Sequence, residues 1–353
     1  MERKTMKGVL KSLPQEGAEY REDLPIPEVG PRDILVKVQA AAICGTDQHI
    51  INWTEYAKQR LTLPMVFGHE FAGDVVAVGS DVHELSVGDR VAGETHIPCN
   101  HCYMCKTNRR HNCANMKIIG VHAPGAFAEY ISFPADCAYK LDDDISYEIG
   151  AMLEPMGVAV HGVSAGEVKG CNVLIFGCGP IGLMAVGAAR AMGAKKIFAA
   201  DVFDAKLEIA KVMGADAVLN TRAMSADEAR AKLLEYTDGM GADVVIDYTG
   251  NAAALQQGFG MLRKNGTFIM VGLPDKPIAL DLTDAIVYKE ATVKGVTGRL
   301  MYETWDECID ILKNSEFSME PVTGGVYPLS NYMDAFNAIF SGVPGKMLLI
   351  PGK

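Results

Sequence analysis

Over roughly the first 155 residues, apolar positions recur in short runs with a period near two. The stretch DILVKVQA (33–40) sets Ile34, Leu35, Val36 and Val38 among polar neighbours. GDVVAVGSDV (73–82) and VGDRVAG (87–93) are further short runs bounded by Gly and Asp. Such spacing predicts a compact, barrel-like β domain. Near residue 160 the pattern changes. NVLIFG (172–177) reads as a buried strand, PIGLMAVGAARAMGA (180–194) as a helix and KIFAAD (196–201) as a second strand. DAKLEIAKVMGA (204–215) predicts an amphipathic helix whose inner face steps through Leu207, Ala210 and Lys211. ADVVIDYTG (242–250) and GTFIMVGLP (266–274) supply more strands, with helical NAAALQQGFGMLRKNG (251–266) between them. Strands alternating with helices predict a doubly wound parallel sheet. The tail, with helical TWDECIDILKNSEF (304–317) and NYMDAFNAIFSG (331–342) and strand-like GKMLLI (345–350), carries no nucleotide motif. It is expected to return to the first domain. The chain is thus expected to fold as a β-rich domain, 1–160 with 293–353, into which the sheet domain 161–292 is inserted.

Composition narrows the function classes. Of the 353 residues 49% are hydrophobic, enough for two cores, and the formal net charge is −11. That charge disfavours nucleic acid and anionic membrane surfaces as partners, because both would repel it at long range. Residues 171–189 carry no charge over nineteen positions, a span of transmembrane length. GCGP breaks the run, so strand, turn and buried helix explain it better. The start, MERKTMKGVL, has no apolar core of signal-peptide length. Nine cysteines, an odd number, fit a reduced cytoplasmic chain better than a disulfide framework.

Three groups of residues carry chemistry. In IFGCGPIG, Gly177, Gly179 and Gly182 form G-x-G-x-x-G between a strand and a helix. There the turn, the close backbone approach and the helix N-terminus suit a pyrophosphate. Asp201 ends the next strand, where a carboxylate accepts hydrogen bonds from an adenosine ribose and favours NAD over NADP; Lys206 softens that preference. In HIPCNHCYMCKTNRRHNC, Cys99, Cys102, Cys105 and Cys113 have the spacing C-x2-C-x2-C-x7-C, expected to close on one structural zinc. His101 and His111 lie in the same loop as competing ligands, although four thiolates already complete a tetrahedron. AICGTDQH (42–49) and FGHE (67–70) offer Cys44, His69 and Glu70, a sulfur, nitrogen and oxygen set that zinc accepts with a position left open. Glu154 is a fourth or alternate ligand. Thr46 and His49 follow Cys44 at two and five residues and make a proton relay from a bound alcohol. Cys137, Cys171, Cys178 and Cys308 read as core, His83 and His122 as turn or surface residues, and His161 as a junction residue.

Together ICGTDQH, FGHEFAGDVVAVGSDV, VGDRVAG, the cysteine loop, GAFAEY and GCGPIG resemble the zinc-dependent medium-chain dehydrogenases, almost from end to end. The resemblance implies a GroES-like β-rich catalytic domain with an inserted Rossmann NAD-binding domain. It implies catalytic zinc on Cys44, His69 and Glu70, structural zinc on the four loop cysteines, and Thr46 and His49 as the relay. Glu154 would support the metal, and His96 would lie near the substrate. Ile181, Asp201, Lys206, Val271, Gly272, Leu273, Val296 and Thr297 would line the NAD site, and the assembly would be a homotetramer. Arg299 would meet either the cofactor's pyrophosphate or a substrate carboxylate. CGTDQHIINWTEYA, ETHIPCNHCYMC and GVTGRLMYETW are most similar to the branch that oxidises L-threonine. Val158, where that branch commonly has asparagine, leaves a polyol or diol (sorbitol, xylitol, 2,3-butanediol) as the alternative substrate. An iron–sulfur carrier is disfavoured because its cysteine run is tighter and ends in proline. A non-catalytic NAD sensor is disfavoured because nothing structural requires Cys44 and His69 together.

Overall fold

The computed structural model describes residues 5–352. The chain divides into two compact units, one running to Glu154 and resuming at Thr323, the other Pro155–Val322. The first break falls inside the helix Tyr147–Ala165, at Pro155, which cannot donate to the helix ladder.

The first unit is built on a seven-stranded sheet around Asp33–Ala42. Its burial alternates as far as Ala40, with Ile34, Val36, Val38 and Ala40 inside and Lys37 exposed, as a strand with one face on a core requires, and Ala41 and Ala42 at its end are buried as well. Glu70–Val78 pairs with it antiparallel, Ala42 opposite Glu70. The C-terminal strand Lys346–Ile350 pairs antiparallel with its end, Leu348 opposite Ala42. Beneath lies a core of Val9, Phe67, Phe71, Val91, Phe127 and Phe336, in which Phe67 and Phe71 make edge contacts with Phe127 and Phe133. Smaller sheets join Thr5–Lys11 to its neighbours and His96–Ile97 to Lys117–Ile118.

The second unit carries a six-stranded, all-parallel sheet. In space its strands run Ala217–Asn220, Lys196–Asp201, Asn172–Phe176, Ala242–Asp247, Leu262–Met270, Thr292–Gly295. That is a doubly wound order, with its switch point beside the first strand, where such sheets bind ligands. Leu174, Phe198, Val245, Phe259 and Phe268 form its core, and the last two rings stack at 4.0 Å.

Three expectations change. The second unit ends at Val322, not at residue 292, because Thr292–Gly295 hydrogen-bonds to Leu262–Met270 as the sixth strand. The helix Glu303–Asn314 stays in the same unit, where Glu307 accepts a 2.8 Å hydrogen bond from Ser164. Only the segment from Thr323 returns to the first sheet. On the helix Asp204–Val212, Leu207 and Ala210 are buried, but Lys211 turns outward to Glu208 at 2.6 Å, since an ammonium is costly to bury unpaired. Among the described residues no helix is long and apolar enough to cross a membrane.

Candidate metal and nucleotide sites

Cys44, His69 and Glu70 converge because the end of one strand lies beside the start of another. Cys44 follows the central strand Asp33–Ala42, and Glu70 begins the strand whose first residue faces Ala42. Gly68 holds φ +89°, and a side chain there would strike the Phe127 ring, so the turn that presents His69 requires glycine. One ligand atom from each of the three residues lies within 4.8 Å of the others.

The surroundings are buried and charged. Asp47, in the first turn of the helix Gly45–Ile51, accepts a 2.9 Å hydrogen bond from the Cys44 amide and brings its other oxygen to 3.7 Å from His69 Nδ1. Lys346 places its ammonium 2.7 Å from Glu70 Oε1 and 2.6 Å from Oε2. Only the first of these contacts has hydrogen-bond geometry. Burial alone would pull the His69 imidazolium down, but the charges of Asp47 and Cys44 outweigh it and lift the group to about 10. Burial drives the Asp47 and Glu70 carboxyls up, against His69 and Lys346 respectively. The charge of Glu154, itself buried, acts on Asp47, His69, Glu70 and Lys346 alike.

Those charges fit a cation. Asp47 Oδ1, His69 Nδ1 and Glu70 Oε2 are buried without a hydrogen-bond partner. Buried Asp47, Glu70 and Glu154 gathered about one ammonium are costly unless a cation balances them. Sulfur, nitrogen and carboxylate oxygen together suit zinc.

Thr46 is half-buried and His49 exposed, on the same short helix as Asp47. The His49 ring lies 5.6 Å from that of Tyr56, and its Nδ1 is 3.2 Å from Thr54 Oγ1. Arg60 stacks on Tyr56 at 4.3 Å. His96 is fixed by buried Glu94, which meets both its amide (2.8 Å) and its Nδ1 (3.0 Å).

The cysteine loop forms a second, separate cluster. Ligand atoms of Cys99, Cys102, Cys105 and Cys113 lie within 4.8 Å of one another, yet every cysteine is free. Sulfur separations of 3.5 Å (Cys102–Cys105) and 3.9 Å (Cys102–Cys113) are far beyond a disulfide. Amides of Cys99 and Asn115 point at Cys113 Sγ from 3.2 and 3.3 Å, as donors do toward thiolates. The Asn115 side chain and the His101 amide hold the Cys99 thiol down to about 5. Burial and the neighbouring thiols push Cys105 up to about 12. Crowded sulfurs that cannot all ionise alone suit a shared cation. His101 and His111 are turned to other partners, Cys99 O at 2.6 Å and Asn112 at 3.0 Å.

In the second unit the nucleotide turn has the form its glycines require. Gly177 adopts φ +91°, and a Cβ on Gly182 would lie 1.7 Å from Gly177 O. Gly179 caps the helix Pro180–Ala191 with open space around its missing side chain, and half-buried Ile181 is that helix's second residue. Asp201 braces the turn by accepting from Cys178 N (2.7 Å), Val202 N (2.7 Å) and Phe203 N (3.0 Å). Lys206 and Arg222 both lie on the Phe203 ring, at 4.9 and 4.7 Å. Amides of Val271 and Gly272 donate to Asp247 O, leaving Leu273 exposed. Val296 is buried and Thr297 exposed, while Arg299 is almost wholly buried, over the Trp305 ring at 5.9 Å.

Sequence reasoning missed Asp47, Lys346, Glu94, Tyr56 and Arg222. Asp47 had a local signal, an acidic residue three after a helix cap. Lys346, some three hundred residues from Cys44, had none.

Comparison with known proteins follows the same division. The description "Alcohol dehydrogenase GroES-like domain" matches residues 30–143 and "Zinc-binding dehydrogenase" matches residues 180–314. An L-threonine 3-dehydrogenase of Bacillus subtilis (strain 168) is 40% identical over 346 residues, covering 98% of this chain and 99% of its own. Among solved structures, 2R,3R-butanediol dehydrogenase from Bacillus subtilis superposes with TM-score 0.88 at 28% identity, over 98% of this chain and 99% of the other. A short chain alcohol dehydrogenase from E. coli CFT073, complexed with cofactor NADH, gives TM-score 0.88 at 28% identity over 99% and 100%.

Proposed function

The chain belongs to the zinc-dependent medium-chain dehydrogenases, and from that premise we propose that it oxidises the C3 hydroxyl of L-threonine to 2-amino-3-oxobutanoate with NAD. The observation that carries the substrate is end-to-end identity of 40% to an L-threonine 3-dehydrogenase, with both metal clusters and the nucleotide turn intact. When bound, zinc supplies a Lewis acid that lowers the pKa of the alcohol, and NAD accepts the hydride.

The chain's own residues do the rest. Cys44, His69 and Glu70 hold the catalytic ion, with Glu154 adding negative charge beside them. Half-buried Thr46 takes the hydroxyl proton and exposed His49 delivers it to solvent. His96, fixed by Glu94, borders the substrate. Gly177, Gly179, Ile181 and Gly182 cradle the pyrophosphate at a helix N-terminus. Asp201 takes the adenosine ribose, and Lys206, Val271, Gly272, Leu273, Val296, Thr297 and Arg299 complete the cofactor site. Cys99, Cys102, Cys105 and Cys113 hold a second, structural zinc. The free cysteines suit the cytoplasm. Self-association is supported by the edge strand Thr292–Gly295, with Val293, Leu282, Val287 and Tyr288 exposed, and the homotetramer is the form the family resemblance implies.

The test is NADH formation by the zinc-loaded protein with L-threonine, L-serine, sorbitol, xylitol and 2,3-butanediol. Preference for L-threonine is the expected result. Preference for a polyol or diol, which half-buried Val158 favours, would overturn the substrate and keep the chemistry.

A further inference from the structure

Lys346 is a buried ammonium inside the ligand sphere of the Cys44–His69–Glu70 cluster, and no part of the mechanism above uses it. It begins the strand Lys346–Ile350, which lies against the end of Asp33–Ala42; the Ile43 amide donates to Met347 O at 2.9 Å. The ammonium donates to Ile43 O at 3.1 Å and to Glu70 Oε1 at 2.7 Å. Glu70 Oε2 is 2.6 Å from the same nitrogen but accepts no hydrogen bond.

The ammonium thus sits across both carboxylate oxygens, 2.7 Å from Oε1 and 2.6 Å from Oε2, and the same carboxylate faces His69 and Cys44. Whatever ion Glu70 ligates also meets a fixed positive charge across the same carboxylate, in a buried region where screening is weak. Orientation favours binding, and charge opposes it.

We propose that Lys346 is a positioning residue for Glu70: it aims the third ligand and at the same time weakens the site's grip, making the catalytic metal the exchangeable one of the two. The proposal rests on the reading that the catalytic ion sits at Cys44, His69 and Glu70. Removing the ammonium frees Glu70, and the gain in attraction exceeds the loss of aim, because Glu70 remains buried at a strand end.

The experiment compares zinc holoenzymes carrying Lys346→Met, Lys346→Gln and Lys346→Arg, each also in a Glu70→Gln background. Metal affinity is read by competition with a chromophoric chelator, and ligand geometry by the visible spectrum of the cobalt-substituted protein. Lys346→Met and Lys346→Gln are expected to hold the weaker metal about tenfold more tightly, by loss of a like charge, and to shift the cobalt bands. Lys346→Arg should restore both values to those of the wild type. In the Glu70→Gln background, Lys346→Met should change affinity by no more than about twofold. Unchanged or weaker binding in both charge-removing variants, or an equal gain with and without Glu70, would overturn the proposal. Lys346→Gln serves where Lys346→Met does not fold. Cys44→Ser separates the underlying reading: if it retains both metals and full activity, the catalytic ion lies elsewhere, whatever Lys346 does.

Discussion

The two candidate metal clusters of the first unit are built in opposite ways. In the loop at 99–113 all four donors are one element and come from fifteen consecutive residues. Hydrogen bonds from Cys99 N, Asn115 N and Asn115 Nδ2 point inward at the sulfurs, and four thiolates fill a tetrahedron. At Cys44 the donors are sulfur, nitrogen and oxygen. They are brought together by strand register and surrounded by buried Asp47, Glu154 and Lys346. A closed thiolate site can only staple. A mixed site with unsatisfied atoms, next to a threonine and an exposed histidine, can bind an ion and still do chemistry. Local sequence thus suffices to make a structural ion site, whereas a reactive one needs the whole fold to set its charges.

That contrast can be broken most severely at Cys44. Cys44→Ser should remove several kcal/mol of transition-state stabilisation, about three orders of magnitude in kcat, with the melting temperature nearly unchanged. Cys102→Ser should do the converse. Loss of the staple should lower the melting temperature by roughly 10 °C, while kcat per folded molecule stays within about twofold of the wild type. Calorimetry and NADH assays on both variants check the pair; equal loss of activity in both would merge two sites that the structure separates.

Smaller changes sharpen the account. Asp47→Asn removes a buried charge beside His69 and should weaken the catalytic metal by about tenfold to a hundredfold, measured by chelator competition. The cysteine site should not respond. His49→Gln should lower kcat by about tenfold, with recovery in concentrated imidazole buffer, because His49 is exposed and an outside base can take its place. Failure of the buffer to rescue would remove His49 from the proton path.

How much of this was legible in the sequence follows the same line. The loop cysteines could be read from spacing alone, because the turn that joins them is local. The nucleotide turn was legible because glycine at Gly177 and Gly182 answers a steric demand that the sequence states directly. Cys44, His69 and Glu70 could be named by type, but the means of their convergence could not. Ala42 opposite Glu70 and Leu348 opposite Ala42 are registers between distant segments. Lys346 was missed for that reason and Asp47 in spite of its local signal, although both set the electrostatics of the site. The sixth strand, Thr292–Gly295, escaped the expected boundary because three of its four residues, Thr292, Val293 and Gly295, are exposed edge positions with no hydrophobic alternation to mark them. Arg299 was named for a carboxylate or a pyrophosphate, but its near-complete burial over Trp305 had no sign in the sequence.

The most direct test of the central claim is stepwise metal removal from the holoenzyme, with activity, released zinc and melting temperature followed together. The account predicts two steps. The first equivalent should leave with the activity and barely move the melting temperature; the second should leave more slowly and take the stability with it. A single step, in which activity and stability fall together as the zinc is released, would contradict it.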